Sequence, residues 1–178
     1  FSMDDKDRYE LKIAGLLHDC GKVTTPVHVV DKATKLQTIF DRIDLIETRF
    51  EVLRRDCEID RLHALLDGTP ADVAAAQLAV RLRAIDADRA FLRQTNRGVE
   101  AMRPEDQERV RRIAREYRWL APDGSERDFL SPEEVENLTI RSGTLTAAER
   151  EVINYHIVAT NKLLEALPWP KHLAHVPE

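Results

Sequence analysis

The chain has 178 residues, of which 33% are charged and only 6% aromatic, a composition typical of a helical, soluble protein. That length allows one domain with its own core, or a small domain that carries a large insertion. The net charge of -5 argues against a protein that binds nucleic-acid polymers non-specifically. No apolar run reaches the ~18 residues of a membrane span, and no signal peptide is visible. Cys20 and Cys57 have no secretory context, so we expect reduced thiols and a cytoplasmic location.

The first predicted helix runs from Asp4 to about Cys20. Acidic residues occupy its first turn, where the helix dipole favours them, and apolar residues then recur at helical spacing. We expect Gly21 to end this helix as a C-terminal glycine. His18 and Asp19 would then lie on its last turn, with Lys22 just beyond it.

The adjacent His18-Asp19 pair is the first candidate for chemistry. A neutral imidazole beside a carboxylate is a natural contribution to a divalent-metal site, and a nearby lysine such as Lys22 can face a phosphate. The alternative is purely structural: a histidine packed under a surface carboxylate, with Lys22 as a cation at the helix end. The dipeptide alone does not decide between them.

A long helical hairpin is predicted within residues 37–138. Its first helix is expected to end near Leu66, before Asp67-Gly68, and its second to follow Thr69-Pro70 and end near Gly98. Two helices joined so tightly pack antiparallel. The hairpin is either an internal structural arm or a surface for homodimerisation and signalling. The first seam comprises Leu36, Ile39, Ile43, Ile46, Phe50, Leu53 and Cys57, and the second Ala71, Ala75, Leu78, Leu82, Ile85 and Leu92.

Three further helices are predicted after the hairpin. One spans about Pro104 to Leu120, and a short one begins at the capping box that starts with Ser131. The last begins at the Thr146 capping box and carries His156 on or near its apolar face. In isolation His156 reads as a core histidine bonded to a backbone carbonyl. The positions that recur at helical spacing along this last helix are Ile153, Ile157, Thr160, Leu163, Leu164 and Leu167.

Three segments together resemble the HD-GYP family, a branch of the HD-domain metal-dependent phosphohydrolases. They are HDCGKVTTP at 18–26, VVDKATKL at 29–36, and GTLTAAE at 143–149 followed by His156. The resemblance covers both ends of the chain, residues 1–36 and 139–178, and residues 37–138 would interrupt it. It implies an all-α fold: an HD-domain helical core with a long inserted antiparallel hairpin.

The resemblance implies a phosphodiesterase that opens cyclic di-GMP to linear pGpG, and on to GMP, in bacterial signalling. Two or more divalent ions would activate a water molecule and neutralise the phosphoryl oxygens. His18, Asp19 and His156 would be metal ligands, Asp19 being suited to bridge two ions, and Lys22 would bind a substrate phosphate. Asp19 and Lys22 would be the catalytic pair. Mixed nitrogen and carboxylate ligation suits iron or manganese better than zinc.

The chain also departs from the family pattern. No histidine precedes His18, and neither an HHE segment nor a GYP segment is present before Glu178. Three ligands are too few for a binuclear centre, so we expect a longer parent protein, with a sensory domain, and weak or absent metal binding by this chain. Two alternatives stay open: another HD-type phosphohydrolase acting on nucleotides or phosphate esters, and a non-catalytic signalling or dimerisation module.

Overall fold

The computed structural model describes residues 3–98 and 101–177. It is 66% helical, with seven α-helices and one two-stranded sheet in these residues, which confirms the all-α class. Within the same residues no helix is long and apolar enough to cross a membrane. The α-helices are α1 (Asp5–Leu17), α2 (Val27–Val30), α3 (Ile43–Leu66), α4 (Ala71–Asn96), α5 (Pro104–Glu116), α6 (Pro132–Leu138) and α7 (Ala147–Glu165), the strands are β1 (Arg118–Leu120) and β2 (Glu126–Asp128), and 3-10 helices cover Cys20–Thr24 and Lys171–Leu173.

The chain divides into two compact units. The first comprises the residues up to Asp31 together with those from Leu145 onwards, and the second comprises Lys32–Thr144. The second unit therefore extends somewhat further in both directions than the predicted insertion at 37–138. Burial explains the difference at its start, because Lys35 and Leu36 are completely buried there.

The α3–α4 hairpin forms the centre of the second unit. Its turn contains Gly68 with a φ of 87°, a left-handed conformation that glycine adopts without steric cost. The predicted end at Leu66 is confirmed, but α3 begins only at Ile43. Ile39 was wrongly included in the seam: it is 96% exposed. The chain before α3 instead makes a tight turn in which the Asp41 carboxylate accepts from the Ile43 amide and from Asn96.

Helix α5 ends earlier than the sequence predicts. It stops at Glu116, and residues 118–120 pair antiparallel with 126–128 instead of completing the helix to Leu120. A turn at Gly124, with a φ of 80°, joins the two strands. The predicted Ser131 capping box is confirmed, since Ser131 and Glu134 bond each other's backbone amides at the start of α6.

Buried ion pairs hold the second unit together around its apolar core. Asp88 on α4 is buried and accepts hydrogen bonds from Arg109 on α5 and from the Tyr117 hydroxyl. Arg49 on α3 makes a bidentate pair with the buried carboxylate of Glu134 on α6. Paired in this way, the charges are tolerated away from water.

The first unit brings together residues from both ends of the given sequence. Helix α1 starts at the Asp4 N-cap and ends at Leu17, with His18 as the C-cap, so the predicted extension of the α-helix to Cys20 was wrong. The chain tightens instead into the 3-10 helix Cys20–Thr24. The predicted Thr146 capping box opens α7 as expected. Several predicted apolar contacts of α7 are not buried in this structure: Ile157, Leu163 and Leu167 are exposed.

Candidate metal and phosphate site

Gly21 brings the His-Asp pair against α7. Its backbone N–H donates to Thr160 Oγ1 at 2.9 Å. A Cβ built on Gly21 would lie 2.6 Å from that same oxygen and nearer still to the His156 carbonyl oxygen and the Thr160 amide nitrogen. Only a residue without a side chain fits such an approach. Gly21 does not have a positive φ, so its expected role as a left-handed helix stop was wrong.

The approach at Gly21 puts His156 beside Asp19. Asp19 N-caps the 3-10 helix, and its Oδ1 lies 3.4 Å from His156 Nε2 on α7. Its Oδ2 lies 3.2 Å from His18 Nε2 and accepts a 2.6 Å hydrogen bond from Lys22 Nζ. The four predicted site residues thus meet at one carboxylate. The imidazoles differ in accessibility, since the side chain of His18 is 69% exposed and that of His156 only 16%.

Both imidazoles are oriented by backbone carbonyls. His18 Nδ1 lies 2.8 Å from the Gly15 carbonyl oxygen, and His156 Nδ1 contacts the Ile153 carbonyl oxygen, in each case three residues earlier on the same helix. A carbonyl can only accept, so each ring carries its proton on Nδ1. The neutral form then presents the Nε2 lone pair towards Asp19, which is the arrangement usual for histidines that bind metal ions.

The electrostatics keep Asp19 ionised. The hydrogen bond from Lys22 lowers the pKa of the Asp19 carboxyl below its ordinary value, and the charge of Lys22 acts in the same direction, as do His18 and His156 when their rings are protonated. An ionised carboxylate offers several lone pairs and can bind a cation and Lys22 together. Lys22 is itself partly exposed, so its ammonium group can also reach a solvent-borne anion.

The donor set fits one metal ion better than two. Two imidazole nitrogens and one carboxylate are the ligands of many mononuclear iron and manganese sites. A second ion would need donors that these three side chains do not supply. Across residues 3–98 and 101–177, no group of three or more His, Cys, Asp or Glu side chains lies arranged to hold a metal ion. The predicted ligands would therefore have to move closer together around an ion.

His63 and His175 lie outside this cluster. His63 is on the last turn of α3, and His175 contacts Glu10. The sequence interpretation missed the role of Thr160, which it counted only among the apolar positions of α7. A polar residue four positions after His156, on the same face of the helix, is the signal that points to a specific contact.

Comparisons with models of known protein families, with characterised proteins and with solved structures gave no significant match.

Proposed function

We propose that the intact protein is a metal-dependent phosphodiesterase that hydrolyses cyclic di-GMP to pGpG or GMP. One observation supports this most strongly: the Nε2 atoms of His18 and His156, from two separate motifs, each lie within 3.4 Å of the Asp19 carboxylate. Residues that the family resemblance predicts as co-ligands, with more than a hundred positions between the two motifs, would be adjacent by chance only rarely. We further propose a cytoplasmic location and control by a sensory domain.

Each residue has a distinct task in this proposal. His18 and His156 would bind a divalent ion, iron or manganese, through Nε2, and Asp19 would supply an anionic oxygen to the same centre. Metal ions held by these residues would lower the pKa of a water molecule and neutralise the phosphoryl oxygens. Lys22 would exchange its hydrogen bond with Asp19 for one to a non-bridging phosphate oxygen, as a point charge.

The test is hydrolysis of cyclic di-GMP by the intact protein and its Asp19→Asn variant. The amide keeps the size of the side chain but loses its charge, so we expect turnover to fall by about a hundredfold or more while the melting temperature changes little. His63→Asn is the matched control, because His63 lies outside the cluster. Equal turnover by the Asp19 variant would contradict the assignment.

The small number of metal ligands leads to a separate prediction, which concerns metal retention by the 178-residue chain. We expect it to retain less than one ion per chain after dialysis, since the complete binuclear centre requires further ligands. Elemental analysis that finds two ions per chain would refute this. Turnover of other nucleotides or phosphate esters, without turnover of cyclic di-GMP, would instead favour a different HD-type phosphohydrolase.

A second candidate function is self-association through the α3–α4 hairpin. The specific observation in its favour is that apolar side chains remain exposed along α3, among them Ile59, Leu62 and Leu66. An exposed apolar surface of this kind marks an interaction site more often than chance. This function does not exclude catalysis.

A further inference from the structure

Helix α3 carries a second apolar seam, distinct from the one that packs against α4. Leu45, Val52, Ile59 and Leu66 recur at strict seven-residue spacing along the whole helix, and Leu62 lies beside them. All are exposed except Val52, which is partly exposed, and Leu66 reaches 83%. The buried residues of α3 are Ile46, Phe50, Leu53 and Cys57. We call the seam of Leu45, Val52, Ile59, Leu62 and Leu66 the outer face of α3.

A strict heptad on an exposed face has a specific physical consequence. On a straight helix residues seven apart drift by only about 20° per heptad, and supercoiling around a partner removes that drift and keeps the whole seam in contact. Helix α4 does not serve as that partner, because it packs on the buried face. We propose that the outer face of α3 pairs with the outer face of a second copy, forming an antiparallel two-helix coiled coil.

The charges on α3 select the antiparallel orientation. Arg55 lies within the seam, between Val52 and Ile59, and is exposed without an ion pair or hydrogen bond to any of the described residues. A parallel pair would place the two Arg55 side chains opposite each other. The antiparallel register that matches Leu45 with Leu62 of the partner subunit brings Arg55 close to Glu51 of the partner subunit instead.

Glu51 can accept this contact without losing its own. Its Oε1 bonds Arg89 on α4 at 2.6 Å, and in the described contacts its Oε2 is not used. An ionised carboxylate accepts several hydrogen bonds. The two-fold axis would therefore have an arginine–glutamate pair on each side, with apolar contacts beyond them towards both ends of α3.

The size of the interface sets the expected affinity. A helix of 24 residues is about 36 Å long, and one seam is about 10 Å wide. That footprint of about 360 Å² per subunit is below the standard size of specific complexes, so we expect weak association, with a dissociation constant in the upper micromolar range. The pairing goes beyond the association proposed above by naming the face, the orientation and the ion pair, and it is independent of metal binding.

Sedimentation equilibrium of the 178-residue chain tests the pairing. We expect a monomer–dimer equilibrium whose dissociation constant rises about tenfold or more in Ile59→Glu and in Leu62→Glu, because each places a charge in the paired part of the seam. Val80→Glu is the matched control: Val80 is a similarly exposed apolar residue of α4, outside the outer face of α3, and should leave the constant unchanged. Circular dichroism verifies that the variants remain folded.

Cysteine cross-linking tests the orientation, in a Cys20→Ser background. Val52→Cys mixed with Arg55→Cys should form a covalent dimer on mild oxidation, whereas Val52→Cys alone should form much less. Preferential cross-linking of Val52→Cys alone would overturn the antiparallel register. A chain that stays monomeric throughout the micromolar range, or a dimer disrupted by Val80→Glu and not by Ile59→Glu, would overturn the proposal. Neither outcome depends on hydrolysis of cyclic di-GMP.

Discussion

Replacing Gly21 with alanine tests how the site is assembled. The new methyl group would lie 2.6 Å from Thr160 Oγ1, where ordinary van der Waals contact begins at 3.4 Å, and closer still to backbone atoms of His156 and Thr160. Backbone cannot rotate out of the way as a side chain can. The 3-10 helix must therefore move away from α7 by about 1 Å, carrying Asp19 away from His156.

Two effects of the Gly21→Ala substitution can be estimated. Overpacking costs about 1–3 kcal/mol, and stretching the hydrogen bond from the Gly21 amide to Thr160 adds about 1 kcal/mol. We therefore expect the free energy of unfolding to fall by about 2–4 kcal/mol. In the intact protein a displacement of about 1 Å at the ligands should reduce turnover of cyclic di-GMP by about a hundredfold.

Urea unfolding followed by circular dichroism measures the first effect, and hydrolysis of cyclic di-GMP by the intact protein measures the second. Gly15→Ala is the matched control, since no described atom lies within 4 Å of a Cβ at that position of α1. There the substitution should stabilise the helix by about 0.5–1 kcal/mol. A Gly21→Ala protein with wild-type stability and turnover would show that the close approach does not assemble the site.

Three further predictions concern buried polar groups. Burial lowers the pKa of Lys35 to about 8. Between that value and the ordinary lysine pKa the unfolded chain binds more protons than the folded chain, so the free energy of unfolding should rise by about 2 kcal/mol from pH 7 to 9.5. Urea unfolding measures this rise, which the Lys35→Met variant should lack. Thr160→Val keeps the shape but removes the acceptor of the Gly21 amide, and should lower the free energy of unfolding by about 1–3 kcal/mol; an unchanged urea midpoint would count against that bond. Asp88→Ala leaves Arg109 without its buried partner and should destabilise by about 2–4 kcal/mol in urea unfolding, whereas exposed Asp72→Ala should change little.

Local signals in the sequence predicted most of the helices. The capping boxes at Ser131 and Thr146 and the glycine turn at Gly68 act over a few residues, so the chain near them determines the helix ends. The end of α5 could not be predicted in this way. Residues 118–120 have no strong local stop signal, and they leave the helix because they pair with residues 126–128.

The candidate site also has some features that the sequence predicts and others that depend on distant parts of the chain. His18, Asp19 and Lys22 were predicted from residue type and proximity, His156 was added only by the resemblance to the HD-GYP family, and the structure brings the four together. The role of Gly21 depends on the backbone of α7, which lies far away in the sequence. A glycine that ends a helix and a glycine that allows close approach look the same in the sequence, and only the three-dimensional packing separates them.

The complete burial of Lys35 is the clearest case that sequence reasoning cannot reach. Lysine is almost never fully buried without a partner, so the residue type alone predicts that Lys35 lies on the surface. Here its ammonium group donates to the carbonyl oxygens of Leu138 and Ile140 at the C-terminal end of α6. Those carbonyls lack partners within the helix, and the negative end of the helix dipole favours a cation there.

Metal-dependent turnover of cyclic di-GMP by the intact protein, compared with its His156→Ala variant, tests the central claim most directly. The protein is stripped with a chelator and then reloaded with manganese or ferrous iron. We predict that wild-type activity is lost on stripping and returns on reloading, and that the His156→Ala variant stays inactive at every metal concentration while it remains folded. Hydrolysis that survives the chelator, or a His156→Ala variant as active as wild type, would contradict the account.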